Sequence, residues 1–225
     1  MSDISLKDMA ASAVHFGHPT QRWNPKMKPY IYGARYGVHI FDLKITANKL
    51  VEALDFLSGM AREKKEVLFV GTKQQCRRFL FEIKDETGMP IVTDKWIPGL
   101  LTNFKTIKER IDYFKKLKED DAKGNLSKFT KKEQTKLRKK IQDLSVSLSG
   151  VENMRGKPDA LFVADIVRDQ ISVKEAKTLG IPVIGIVDSN ADPDMVDYPI
   201  PANDDAIKSL QYILNLAKEA VKVKK

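Results

Sequence analysis

Four short apolar runs, VLFVG (67–71), PIVTD (90–94), DALFVAD (159–165) and PVIGIVD (182–188), punctuate the chain. Each is too short for a helix and too evenly apolar for a strand with one wet face. Each therefore reads as a strand covered on both sides. Helical patterns alternate with them: Asn48 to Arg62, with Leu50, Val51, Leu54 and Leu57 on one face, Lys73 to Asp85, Val173 to Leu179, and Asp204 to Val223. Gly71, Gly88 and Gly180 stand at the turns. This alternation specifies an α/β fold with a parallel sheet wrapped by helices.

The pattern breaks after LLTN. Phe104, Ile107, Ile111 and Phe114 recur at the three-then-four spacing of a coiled-coil seam, and Leu137, Ile141, Leu144 and Leu148 repeat it beyond a polar stretch holding Gly124 and Asn125. Two antiparallel helices projecting from the sheet are predicted.

Length and composition narrow the class. The chain has 225 residues, 42% of them hydrophobic and 31% charged, which suits one filled domain carrying a sizeable insertion. Cys76 is its one cysteine, so no intrachain disulfide forms and a reduced, cytosolic setting is expected. The N-terminus shows no basic flank followed by an apolar run, so no export signal is read there. The longest apolar run, IPVIGIV, is too short to span a bilayer, and no membrane partner is expected.

The net charge of +9 is unevenly spread. Residues 105–143 carry 14 Lys or Arg against 7 Asp or Glu, and residues 1–49 carry 7 against 3, leaving the remainder slightly acidic. Within the predicted hairpin, KKEQTKLRKK (131–140) holds a single acid. A face built for solubility intersperses both signs; a lopsided excess repels itself until a polyanion neutralises it. Between Arg22 and Leu43, RWNPKMKPYIYGARYGVHIFDL adds Arg22, Lys26, Lys28 and Arg35 to the aromatic rings of Trp23, Tyr30, Tyr32 and Tyr36. Cations suit phosphates and flat rings suit bases. Pro25 and Pro29 impose an extended path, and Gly33 and Gly37 allow a hairpin joining IYG to VHIF, which claims some of the rings for packing.

Catalytic chemistry finds little support. FVGTKQQC lacks the spacing of a phosphate loop and reads as a tight strand-to-helix turn. No nucleophile elbow or HExxH motif occurs, Cys76 has no His partner nearby in sequence, and His39 alternates with Val38 and Ile40 as a structural or RNA-facing side chain. Asp165 and Asp188 fall at strand ends, where ligands of parallel sheets bind. A structural zinc or magnesium held by His18, Asp188 and Asp204 (or Asp205) is chemically compatible, although Asp204 as a helix cap and Asp192 as a turn-former explain these acids equally. The rival to RNA binding is thus a nucleotide- or metal-dependent enzyme using these carboxylates. A protein-interaction module built on the hairpin alone is a third reading.

HFGHPTQRWNPKMKPYIYGARYGVHIFDL, FVGTK, WIPGLLTNFKTI, PDALFV and EAKTLGIPVIGIVDSNADPDMVDYPIPANDDAI occur in order around the helical insertion. On these motifs the chain resembles the bacterial small-subunit ribosomal protein S-two family (universal uS-two) over essentially its whole length. The resemblance implies a three-layer αβα core of Rossmann or flavodoxin type, formed by residues 1–101 and 155–225, with a coiled-coil hairpin inserted at 102–154. It implies a non-catalytic, cytoplasmic ribosomal constituent that requires no cofactor. Its partners would be small-subunit ribosomal RNA in head and body and neighbouring proteins, among them the mRNA-binding protein S-one, which it helps to dock. It is not expected to form a homo-oligomer. Carried onto this sequence, the RNA-facing residues are Arg22, Trp23, Asn24, Lys26, Lys28 and Arg35, together with Lys105, Lys108, Lys131, Lys132, Arg138, Lys139 and Lys140 of the hairpin. Trp96, Thr102 and Asn103 would fix the hairpin's angle. Two departures stand out: Pro98 replaces a glycine of the family's WLGG, and the chain ends on basic VKVKK instead of a longer acidic tail.

Overall fold

A computed structural model describes residues 4–222. The last residues of VKVKK (223–225), and with them the expectation about the terminus, lie outside the described residues. The elements in chain order are α1 (Leu6–Ala11), β1 (Phe16–Pro19), β2 (Ile31–Arg35), β3 (Val38–Phe41), α2 (Leu43–Arg62), β4 (Val67–Val70), α3 (Gln74–Thr87) and β5 (Ile91–Val92). They continue as α4 (Phe104–Ala122), α5 (Lys131–Leu148), β6 (Ala160–Val163), α6 (Gln170–Thr178), β7 (Val183–Val187), β8 (Tyr198–Pro201) and α7 (Ile207–Val221).

Five strands form one parallel sheet in the order β5-β4-β6-β7-β8. Four are the predicted runs. The fifth, β8, escaped the sequence reading because its segment, YPIP, carries two prolines that cannot donate to a ladder. It pairs with β7 on one side, and the Thr46 hydroxyl of α2 donates to the Pro201 carbonyl at 2.7 Å.

Side chains alternate along each strand, so the sheet separates two cores. Val67, Phe69, Phe162, Ile184 and Ile186 face one core, with Leu50, Leu57, Leu80, Leu210 and Ile213 from the helices around them. Leu68, Val70, Leu161, Val163 and Val187 face the other, with Val173 and Ala176 of α6. This is the α/β arrangement expected, with helices on both faces of a parallel sheet.

The two long helices appear where the spacing placed them and pack on each other, Arg138 pairing with Asp121 at 3.1 Å and Lys140 lying over the Tyr113 ring. Ile107, Ile111 and Phe114 of α4 are buried in the second core, together with Leu148 of α5. Ile141 and Leu144 are only half-buried, so α4 carries most of the seam. Thr130 and Glu133 close a reciprocal capping box at the start of α5.

The aromatic segment forms the predicted β2–β3 hairpin, whose turn places Tyr36 and Gly37 at positive φ (51° and 75°). β1, unforeseen in the polar FGHP, adds to β3 and completes a three-stranded antiparallel sheet. One expected cap is corrected. Asp204 does not cap the last helix: the Asn203 carboxamide oxygen accepts from the backbone N–H groups of Asp205 and Ala206, both at 2.8 Å, while the Asp204 side chain turns to Lys73.

Candidate nucleic-acid interface

The switch point of the sheet, between β4 and β6, is where a doubly wound fold binds nucleotides. Here it is filled. Lys73, at the turn into α3, places its ammonium 2.8 Å from Asp165 and 2.7 Å from both Asp204 and Asp205. Burial alone would lower the Lys73 pKa, but these three carboxylates outweigh it and raise it. The Thr72 amide and hydroxyl both bond Asp169, so these two donors of the turn are engaged by carboxylate. Gly71 serves packing: a Cβ there would meet the Cys76 sulfur at 2.6 Å. Cys76 itself is buried and its thiol is pushed up to about 12 by that burial, an inert group. An acidic crevice already holding an ammonium disfavours a phosphate.

The candidate metal ligands do converge. One donor atom each from His18, Asp188 and Asp204 lie within 4.8 Å of one another. His18 Nδ1 is 3.0 Å from Asp188, whose hydrogen bond raises the imidazole pKa. Burial, followed by the charges of Asp165 and Asp188, lifts Asp204 to about 7 despite Lys73. Four carboxylates, those of Asp165, Asp188, Asp204 and Asp205, thus surround one ammonium and one imidazole, and one imidazole with two carboxylates is a donor set that suits zinc.

This acidic patch also clips the N-terminal sheet to the core. His18 donates its backbone N–H to Ser189 and Asp188, the Asn24 N–H donates to the Ser189 carbonyl at 2.7 Å, and Lys26 reaches Asp192 and Asp194, both at 2.8 Å. Asp192 also accepts from the Asp194 N–H, the turn the sequence suggested. Lys26 is thus committed to two carboxylates. Arg22, Lys28 and Arg35 are exposed and have no carboxylate partner among the described residues. Of the rings, Tyr32 and Tyr36 are 80% and 91% exposed and Trp23 37%, whereas Tyr30 packs against the second core. Trp23 lies 5.1 Å from His39, which is buried with neither ring nitrogen bonded.

On the hairpin, Lys131, Lys132, Arg138, Lys139 and Lys140 are all exposed. Arg138 faces Asp121, and Lys140 covers Tyr113; the other three have no carboxylate partner among the described residues. Lys105 is exposed near the base of α4, and Lys108 makes a surface pair with Asp112 at 3.3 Å.

The hairpin is tied to the sheet by a residue that sequence reasoning passed over. Glu175 of α6 accepts from the Trp96 indole, the backbone N–H groups of Gly99, Leu101 and Thr102, and the Thr102 hydroxyl, at 2.8–3.1 Å. Burial pushes its pKa up, but these five donors prevail and hold it below the usual carboxylate value. Gly99, at φ 88°, makes the turn beside Pro98. Of the three residues expected to set the hairpin, Trp96 and Thr102 join Glu175, while the Asn103 side chain accepts only from Thr106. At the far end Lys84 donates to the Ser149 carbonyl, and the Ile91 N–H to the Gly150 carbonyl.

No described helix is long and apolar enough to cross a membrane. The family model for Ribosomal protein S2 matches residues 9–223. The small ribosomal subunit protein uS2 of Hahella chejuensis is 47% identical, over 94% of this chain and 83% of that protein. Its namesake in Petrotoga mobilis is 47% identical over 98% and 77%, and that of Fusobacterium nucleatum 45% over 98% and 90%. These names denote a ribosomal constituent and no enzyme, in agreement with the sequence reading. The chain belongs to the Ribosomal protein S2 family.

Proposed function

We propose that the protein is a structural constituent of the small ribosomal subunit, in the cytoplasm, which holds ribosomal RNA between two cationic surfaces. One is the N-terminal sheet with Arg22, Lys28 and Arg35; the other is the hairpin with Lys105, Lys131, Lys132 and Lys139. The single observation that carries the reading is the exposed row on α5, whose cations outnumber the acids able to neutralise them. RNA phosphate supplies the missing charge, and shape rather than base sequence dominates such recognition. Docking of the mRNA-binding protein S-one belongs to the same proposal and rests on the family resemblance. The test is binding of the purified chain to small-subunit RNA across a salt series. Neutralising about six phosphates predicts roughly a thousandfold loss of affinity between about 50 and 200 mM salt. A flat salt response rejects the reading.

A second reading is favoured by the convergence of His18, Asp188 and Asp204. A structural zinc or magnesium there would offset carboxylate charge and keep Asp204 ionised. Metal analysis of purified wild-type and His18→Ala protein tests it: one equivalent in the first and none in the second is expected, and no metal in either ends the idea.

A further inference from the structure

Consecutive residues between β1 and β2 are sent to different places. Asn24 donates its backbone N–H to the Ser189 carbonyl at 2.7 Å, and its side-chain oxygen accepts from the Lys26 N–H at 3.0 Å. Met27 is fully buried in the second core. Lys28 is exposed, with no carboxylate partner among the described residues. The Lys26 ammonium instead turns back to Asp192 and Asp194, 2.8 Å from each. A short 3-10 helix spans Pro25–Tyr30, and at about three residues per turn its positions 26 and 28 face different sides.

The loop that receives Lys26 is itself held. Asp192 accepts from the Asp194 N–H at 3.0 Å, and Lys177 of α6 donates to the Asp194 carbonyl, also at 3.0 Å. β1 comes down on the same loop: the His18 N–H donates to Asp188 and Ser189, and a Cβ at Gly17 would lie 2.9 Å from the Ser189 hydroxyl oxygen. A lone ion pair at a surface contributes little. Here two carboxylates converge on one ammonium beside backbone bonds that already fix the segment, so little further freedom is lost in making the contact. To neutralise a phosphate, Lys26 would have to leave both acids, and the acids would then repel that phosphate.

We propose that Lys26 is a positioning residue for RNA binding: through Asp192 and Asp194 it seats the N-terminal sheet on the loop after β7, and Arg22, Lys28 and Arg35 make the phosphate contacts. The proposal rests on the reading of that sheet as an RNA surface. It gives Lys26 a part distinct from that of Lys28, two positions away, although the two lysines look alike in the sequence.

The experiment compares the full chain as wild type, as Lys26→Glu, and as the charge swap Lys26→Glu with Asp194→Lys. The swap keeps the net charge of wild type and rebuilds the pair with its signs reversed. Asp194 is chosen because its side chain is 71% exposed and, unlike that of Asp192, caps no turn. Two quantities are read: affinity for small-subunit RNA, and amide exchange at Asn24, whose N–H bonds the receiving loop. Lys26→Glu should speed that exchange and weaken RNA binding roughly tenfold at about 0.1 M salt, the worth of one phosphate contact. The swap should restore both. A glutamate standing in place of a phosphate contact would repel RNA in either background, so a swap as weak as Lys26→Glu overturns the proposal. Unchanged Asn24 exchange in Lys26→Glu overturns it too. In both cases the RNA surface stands if wild type keeps its steep salt response; if wild type lacks that response, the surface and this role fall together.

Discussion

The Glu175 carboxylate and the Trp96 indole, 79 positions apart in the chain, meet at 2.9 Å and join α6 to the loop from which the hairpin departs. One carboxylate gathers five donors, three of them backbone N–H groups of residues 99–102. Hydrogen bonds to an ionised acceptor are stronger than neutral ones, and several on one group fix the path of a loop. This anchor holds the loop from which the hairpin departs, while Lys84 and Ile91 hold its return at Ser149 and Gly150.

Glu175→Gln keeps the shape but turns an amino group toward backbone donors. It should cost about 2–4 kcal/mol, seen as a fall in melting midpoint of about 5–10 °C. The same group predicts a pH dependence. Its folded pKa lies below the unfolded value, so its contribution is complete above the ordinary carboxylate range and lost as pH falls through the folded value. Wild type should therefore lose stability on acidification more steeply than Glu175→Gln in calorimetric scans.

Lys73→Met removes the ammonium shared by Asp165, Asp204 and Asp205, two of which are buried. Leaving those carboxylates unpaired should cost about 3–5 kcal/mol. The loss should grow between pH 5 and pH 8, because protonation at the lower pH relieves the stranded charge. Denaturant titrations at the two pH values check this.

Gly150→Ala tests the other end of the hairpin. A Cβ at Gly150 would lie 2.0 Å from the Ile91 carbonyl oxygen, so the loop must retreat from the edge of β5. We expect faster amide exchange at Ile91, whose N–H donates to Gly150, with the β6 and β7 amides still protected.

The sequence made some of this plain and hid the rest for physical reasons. Strands such as Phe69 with Val70 and Ile184 with Val187 announced themselves because both faces are covered, which forces a continuous apolar run. β8 and β1 did not, since YPIP and FGHP are edge strands with prolines and little apolar content. The hairpin's two helices were legible in their spacing, but the dominance of α4 in their seam was not. Glu175 was invisible: within EAKTLG a lone acid on an amphipathic helix looks solvated, and its partners are contacts made only in space. Asn203, Asp204 and Asp205 are consecutive turn-formers ahead of α7, and only the position of Lys73 shows why the Asp204 side chain turns away while that of Asn203 closes the turn. The basic surfaces stood out in the charge count, yet Lys26 proved to be held by Asp192 and Asp194.

The central claim is that the cations of α5 exist to lie along RNA. It is tested most directly by replacing Lys131, Lys132, Arg138, Lys139 and Lys140 with Glu in the cell's only copy of the protein and sedimenting the lysate. Because all five side chains are exposed, the folded protein should persist with its melting midpoint little changed, yet be depleted from the small-subunit peak. Wild-type levels in that peak would contradict the account.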